Sequence, residues 1–308
     1  MIYAITTTYK DNFELLELFN YFYFNKWKFD YIFSLIGQTE KDISYLLKDK
    51  VYIKSLFYEK LEFKFYKENN HFLVIYKDLN FTKSNSWNSF RKKIKNNIIN
   101  KFLQEFNKNF FNQYIDNDEL YYFPDNFNIK EKILKNKISF HYLEYIPKDE
   151  FNINDDLLFS LYGQSNRSNK MNHTSCKTLY KEHFYHNNDR IISNNCKNIL
   201  DGNKLDNKFL CFHFSIISKN HFLNYRVNKY KSDNINKNIG LKNLNIDFNN
   251  KLFPPFCENG RKIFELFNQE PENNTDDNFY QVCLNYFEYI KNINNYKNYI
   301  KINIFKYL

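Results

Sequence analysis

Between Ile2 and Ile36 the chain spells strand, helix, strand. "IYAITTT" is a short β-rich apolar run closed by the polar "YKDN". "FELLELFNYFYF" then sets Phe13, Leu16, Leu18 and Phe19 near helical spacing, and "FDYIFSLI" returns to a β-type run. Two strands joined through a helix pair in parallel, because such a crossover returns the chain to the same end of the sheet. An α/β class follows, with "IYAITTT" expected as a central strand.

Further along, "EKDISYLLKD" reads as a second helix, and β-type stretches follow at 51 to 58 and 71 to 79. In "SWNSFRKKIKNNIINKFLQEF", Phe90, Ile94, Ile98, Phe102 and Phe106 recur every fourth residue. That spacing predicts an amphipathic helix, with Lys92, Lys93, Lys95 and Lys101 on the solvated face. It feeds the apolar run "FFNQYI", which stops in Asp116, Asp118 and Glu119. "KISFHYLEYI" and "FLCFHFSII" read as later strands, and "SKNHFLNYRVNKY" as a helix with Ser218 at its N-cap. Residues 152 to 208 are polar and aperiodic, as expected of loops forming one wall of a cleft. Asparagine-rich text at 232 to 250 and 270 to 278 has the character of linkers around a small helical tail.

The 308 residues suit one large core with an extension. Ala4 is the only alanine, and Lys, Asn, Ile, Phe and Tyr dominate, as AT-rich codons dictate. The net charge of +9 favours anionic partners. Five cysteines without a CxxC pair argue against a zinc site and a disulfide framework. No window of about 18 apolar residues occurs and no signal peptide is legible, so a cytoplasmic location is expected.

The acidic stop carries the chemistry. On an extended strand, Asp116 and Asp118 at i, i+2 share a face and offer a divalent cation two hard oxygen ligands. Such close carboxylates repel each other unless a cation sits between them, and a Mg²⁺ or Mn²⁺ bridging to a diphosphate fits. A polar turn is the plainer reading of the same residues.

Order adds weight to the first reading. An early strand, a Lys-Asp-Asn turn, a long amphipathic helix feeding an apolar strand and then Asp-x-Asp-Glu together resemble glycosyltransferases of the GT-A fold, particularly family 2 and family 92-like enzymes. "TTTYKDNFELLELFNYF" takes the place of their nucleotide-binding loop and helix, and "CKTLYK", "HNNDR" and "LCFHFSIISKNHFLNYRVNKY" are similar to their downstream segments. The resemblance covers residues 1 to 230. It implies a Rossmann-like, mostly parallel mixed sheet flanked by helices, while 231 to 308 lie outside it and read from composition as linker and small helical extension.

It also implies roles. Thr7 and Asp11 would line the nucleoside pocket, Asp116 would meet the ribose or the metal, and Asp118 would ligate the Mn²⁺ or Mg²⁺ that holds the donor diphosphate. His213 resembles the late His that completes a metal or phosphate site, and a buried strand histidine is its structural alternative. His186 falls in the acceptor-side loop. Glu119 occupies the acidic third position. As catalytic base, Glu144, Asp155, Asp156, Glu182 and Asp189 compete, with Asp189 and Glu119 carried as the catalytic candidates.

The expected activity is transfer of a sugar, with inversion, from a nucleotide-sugar, a UDP-sugar being favoured, to a glycan or lipid-linked acceptor in surface polysaccharide synthesis. The basic tail "NYFEYIKNINNYKNYIKINIFKY" fits a helix packed on the domain, and also peripheral contact at the inner face of a membrane. A nucleic-acid-binding protein is the rival reading, from net charge and aromatic content. Against it, the aromatics recur at buried spacings with lysines between them, so nucleic acid is not the expected partner. A family member that binds nucleotide-sugars without turnover is a third reading.

Overall fold

A computed structural model describes residues 1–9, 13, 15–38, 40–77, 95–124, 127–128, 130, 137–161, 176–179, 191–192, 209–227, 276–295 and 299–306. Two mixed sheets with few helices make this an α/β protein. The first sheet runs β3 (Val51–Tyr58), β4 (Leu61–Glu68), β5 (His71–Tyr76), β2 (Tyr31–Ile36), β1 (Ile2–Tyr9), β6 (Phe110–Tyr114). β5, β2, β1 and β6 are mutually parallel, while β3 and β4 pair antiparallel.

Every residue of β1 is buried, as expected of a parallel strand covered on both faces. Ile2 and Ala4 face a cluster with Phe33, Phe72 and Phe102. Tyr3 and Ile5 face a larger one, shared with the helix and with the second sheet. That helix, α1 (Leu16–Asn20), continues as a π-helical turn, Tyr21–Lys26. Leu15, Leu16, Phe19, Phe22 and Tyr23 form its buried stripe, so the crossover read from the sequence is the crossover found.

The second sheet runs β13 (Tyr299–Asn303), β9 (Asp156–Leu161), β8 (Lys137–Tyr145), β12 (Leu210–His213), β7 (Glu119–Tyr122). β10 (Cys176–Leu179) and β11 (Ile191–Ile192) also pair with β8. Its pairings are antiparallel except those of β12 and β11 with β8. The expectation of one mostly parallel sheet therefore holds for β5, β2, β1 and β6 of the first sheet and not for the second. Leu120, Phe159, Phe212 and Ile302 join Tyr3 and Ile5 in one apolar cluster between the sheets.

Several expectations need correction. β4 was not anticipated, although "LEFKFYKE" alternates Leu61, Phe63 and Phe65 with charged residues. Two-residue turns flank it, and their first residues, Glu59 and Asn69, take φ of 53° and 54°, the hand that tight hairpins demand. The second helix shrinks to α2 (Ser44–Leu47). Of the long amphipathic helix, the described part is a π-helical turn, Lys95–Ile99, then α3 (Asn100–Gln104), which buries Ile98, Ile99, Phe102 and Leu103. The 152 to 208 region holds β9, β10 and β11, and Leu157 and Phe159 are core residues there.

Ser218 caps α4 (Lys219–His221) as expected, its Oγ accepting the His221 N–H at 3.1 Å. In the tail, α5 (Asp276–Lys291) packs Tyr286 and Phe287 on Phe222, which supports the packed placement of that helix. The extension is not only helical. β13 joins the second sheet, and Ile302 and Ile304 belong to its core. Among the described residues no helix is long and apolar enough to cross a membrane.

At the amino ends of the parallel strands, His71 lies between Ser34 Oγ, 2.9 Å from Nε2, and the Asn20 side-chain amide, 3.0 Å from Nδ1. Burial, and secondarily Lys50, lowers its pKa from 6.5 to about 3. Below pH 6.5 the unfolded chain takes up a proton that the folded chain refuses, so this contribution is complete above 6.5 and is lost as pH falls. At about 1.4 kcal/mol per unit, His71 should cost roughly 2 kcal/mol of stability at pH 5 relative to pH 7.5. Urea midpoints at both pH values should differ markedly less in His71→Gln than in wild type, and equal differences would contradict this account.

Candidate metal centre

The first sheet's strand order decides where a site can form. From β1 the chain winds through β2 to β5 on one side, and β6 is laid down on the other. The order therefore reverses between β1 and β6, and a crevice opens outside the carboxyl ends of two such parallel strands. β6 ends at Tyr114, and Ile115 N–H still bonds Thr6 carbonyl at 2.9 Å. Asp116 to Glu119 then form a turn closed by Glu119 N–H donating to Asp116 carbonyl at 3.1 Å. That turn carries the chain from the first sheet into the second.

Asp116 and Asp118 are thus not an i, i+2 pair on an extended strand. The turn breaks the alternation that would have aligned them and instead brings Asp118 beside Glu119, the first residue of β7. Phe214 N–H donates to Asp118 carbonyl at 2.7 Å and ties the turn to the end of β12.

Register supplies the rest. His213 stands opposite Glu119 of β7 on one side and Glu144 of β8 on the other. Residues opposed across a ladder share a face, so Glu144, His213 and Glu119 form one polar row across three strands. His213 Nδ1 is 2.5 Å from Glu144 Oε2, and its Nε2 is 3.5 Å from Asp118 Oδ2. Ser215 Oγ donates to the other oxygen of Glu144. Glu119 Oε2 accepts from Tyr121 hydroxyl at 2.7 Å.

Ligand atoms of Asp118, Glu119 and His213 all lie within 4.8 Å of one another. Among the described residues this is the one such group. Burial alone would lower the His213 pKa, but the Glu144 and Asp118 carboxylates outweigh it and raise the pKa well above the ordinary value. Glu119 is only 2% exposed and Glu144 3%, and carboxylates that deep need cationic or hydrogen-bonding compensation. Two carboxylate oxygens and an imidazole nitrogen fit a divalent ion such as Mn²⁺.

Tyr23, from the π-helical turn after α1, props the row from below. Its hydroxyl donates to Glu119 carbonyl at 3.1 Å and accepts Tyr121 N–H at 2.9 Å. Tyr23→Phe leaves both buried backbone groups without that partner, at a cost of about 2 kcal/mol. Chemical denaturation should reveal that loss, and a variant as stable as wild type would refute the role.

The other sequence candidates divide. Thr7 is fully buried on the same face as Ile5 and Tyr9, within the sheet and not at an open strand end. Asp11, His186, Asp189 and Glu182 lie outside the described residues. Asp155 and Asp156 are exposed and paired with Lys148 at 3.2 Å and Lys301 at 3.0 Å. Asp116 belongs to the turn but not to the three-residue group. Sequence reasoning placed Glu119 among catalytic groups and missed its place beside Asp118 and His213. It also left Glu144 among the competing bases, and the register that joins it to His213 is not visible in sequence.

No family model, curated protein or solved structure matches this chain.

Proposed function

We propose that this chain is a metal-dependent glycosyltransferase of the GT-A type, transferring a sugar from a nucleotide-sugar to an acceptor hydroxyl. One observation carries the reading: the acidic turn Asp116–Glu119 leaves the carboxyl end of β6 where the strand order reverses, and there meets His213. That is where open α/β sheets bind nucleotides, and the group there suits the cation that a diphosphate requires.

In this account Asp118, Glu119 and His213 hold the ion. A divalent cation there supplies charge stabilisation for a departing nucleoside diphosphate. Asp116, on the same turn, is assigned to the ribose or to the ion's open side. The acceptor's proton goes to a carboxylate, and Glu144 is excluded from that task by its two hydrogen bonds inside the sheet. Asp189 remains the candidate base by resemblance alone, and donor identity, a UDP-sugar first, rests on the same ground.

The nucleic-acid reading is weaker. Tyr52 and Phe57 are exposed on β3, yet Lys54 between them is engaged with Glu105 and is not available to phosphate.

The test is release of nucleoside diphosphate from a panel of UDP-, GDP- and CDP-sugars, with Mn²⁺ or with EDTA, in the presence of simple glycoside acceptors. Metal-dependent release from one donor class supports the reading. Absence of release and of nucleotide binding, with tight binding of single-stranded oligonucleotides, overturns it.

A further inference from the structure

We propose that Glu144 is a positioning residue that presents His213 as a nitrogen ligand, and that this makes the site select Mn²⁺ over Mg²⁺. The inference rests on the metal-holding reading of Asp118, Glu119 and His213 and goes beyond it in assigning a residue and a preference.

Glu144 comes from β8, which shares no turn with the acidic segment, and reaches His213 only because β12 lies beside β8 in register. Both of its oxygens are committed: Oε2 lies 2.5 Å from His213 Nδ1, and Oε1 accepts from Ser215 Oγ. Its two partners stand at i and i+2 of one segment, so the carboxylate clamps the end of β12 at two points.

Packing gives no reason for a carboxylate here. Glu144 is buried at 3% exposure, and an apolar side chain would fill so buried a place at lower desolvation cost. What a carboxylate adds is orientation. With the Nδ1 proton directed to Glu144, a cation that displaces the Nε2 proton would meet the Nε2 lone pair on the side where Asp118 Oδ2 lies 3.5 Å away. Carboxylate-to-imidazole contacts of this kind fix the tautomer and ring angle of metal-binding histidines and raise their basicity.

Selectivity follows from ligand type. Mg²⁺ takes oxygen ligands and gives up water reluctantly, whereas Mn²⁺ accepts imidazole together with carboxylate. A site of oxygens alone would not discriminate in this direction. A site with an enforced nitrogen does.

Electron paramagnetic resonance of Mn²⁺, titrated into the full chain and then displaced with Mg²⁺, tests this without requiring turnover. Wild type should bind Mn²⁺ and need more than about a tenfold excess of Mg²⁺ to release half of it. Glu144→Gln should weaken Mn²⁺ binding about 10- to 100-fold and narrow its margin over Mg²⁺. Ser215→Ala, which frees one oxygen of Glu144 and is the milder change for folding, should weaken it by a smaller factor. Folded variants that bind Mn²⁺ as wild type does, with only lowered melting temperatures, would make Glu144 a core ion-pair partner and overturn the proposal alone. Wild type that binds no Mn²⁺ would overturn the metal reading together with it.

Discussion

Asp118→Asn should abolish Mn²⁺-dependent binding of nucleoside diphosphate while leaving the chain folded. The substitution keeps the side chain's size, and asparagine suits a turn as well as aspartate does. The backbone bond from Phe214 N–H to the residue-118 carbonyl is also kept. What is lost is one anionic ligand of the three-residue group and one carboxylate attracting His213. Outer-shell changes at metal sites cost about 10- to 100-fold, and a direct ligand should cost at least the upper end of that range. Calorimetric titration of UDP, GDP and CDP into the variant with Mn²⁺ reads the effect. Affinity within threefold of wild type, by about 0.7 kcal/mol, would remove Asp118 from the site.

The largest effect on stability is expected from Phe33→Ala. Phe33 is fully buried at the centre of β2, stacks on Phe72 at 4.9 Å and 14°, and meets Phe102 edge-on at 5.7 Å and 77°. Phe102 in turn stacks on Phe65 at 4.6 Å. Four rings from β2, β4, β5 and α3 thus interlock on the face of the first sheet that carries Ala4. The small Ala4 side chain leaves room for them. Truncation removes the transfer free energy of a ring and leaves a cavity that stiff aromatic neighbours fill poorly, for about 4 kcal/mol. For a chain of this size that lowers the melting temperature by roughly 6 °C. Scanning calorimetry decides it, and a loss below about 1 kcal/mol would mean that the cluster rearranges. Metal binding by the folded fraction should survive, because Phe33 lies in a separate cluster from the one shared with the second sheet.

Local period carried the legible part of the fold. β1, α1 and β2 follow from apolar spacing between Ile2 and Ile36, and the cap at Ser218 from its position before a helical run. Non-local pairing was not legible. β7 is four residues long and β12 also four, too short for alternation to declare a partner, and their antiparallel register sets Glu119 against His213. β13 reaches β9 across nearly half of the chain, and "YIKIN" read alone resembles any basic tail. The site divided in the same way. Asp118 and His213 were named from order and residue type. The pairing of Asp118 with Glu119 in place of Asp116 depends on a turn where the sequence suggested a strand, and the clamp from Glu144 depends on tertiary register.

The central claim is that the turn after β6 holds a cation that in turn holds a diphosphate. Titrating UDP into the wild-type chain by calorimetry, once with saturating Mn²⁺ and once with EDTA, tests it most directly. Binding that appears with Mn²⁺ and vanishes with EDTA is the predicted result. UDP affinity that is equal in both conditions would contradict the account, and so would its absence from both in a chain that is folded by circular dichroism.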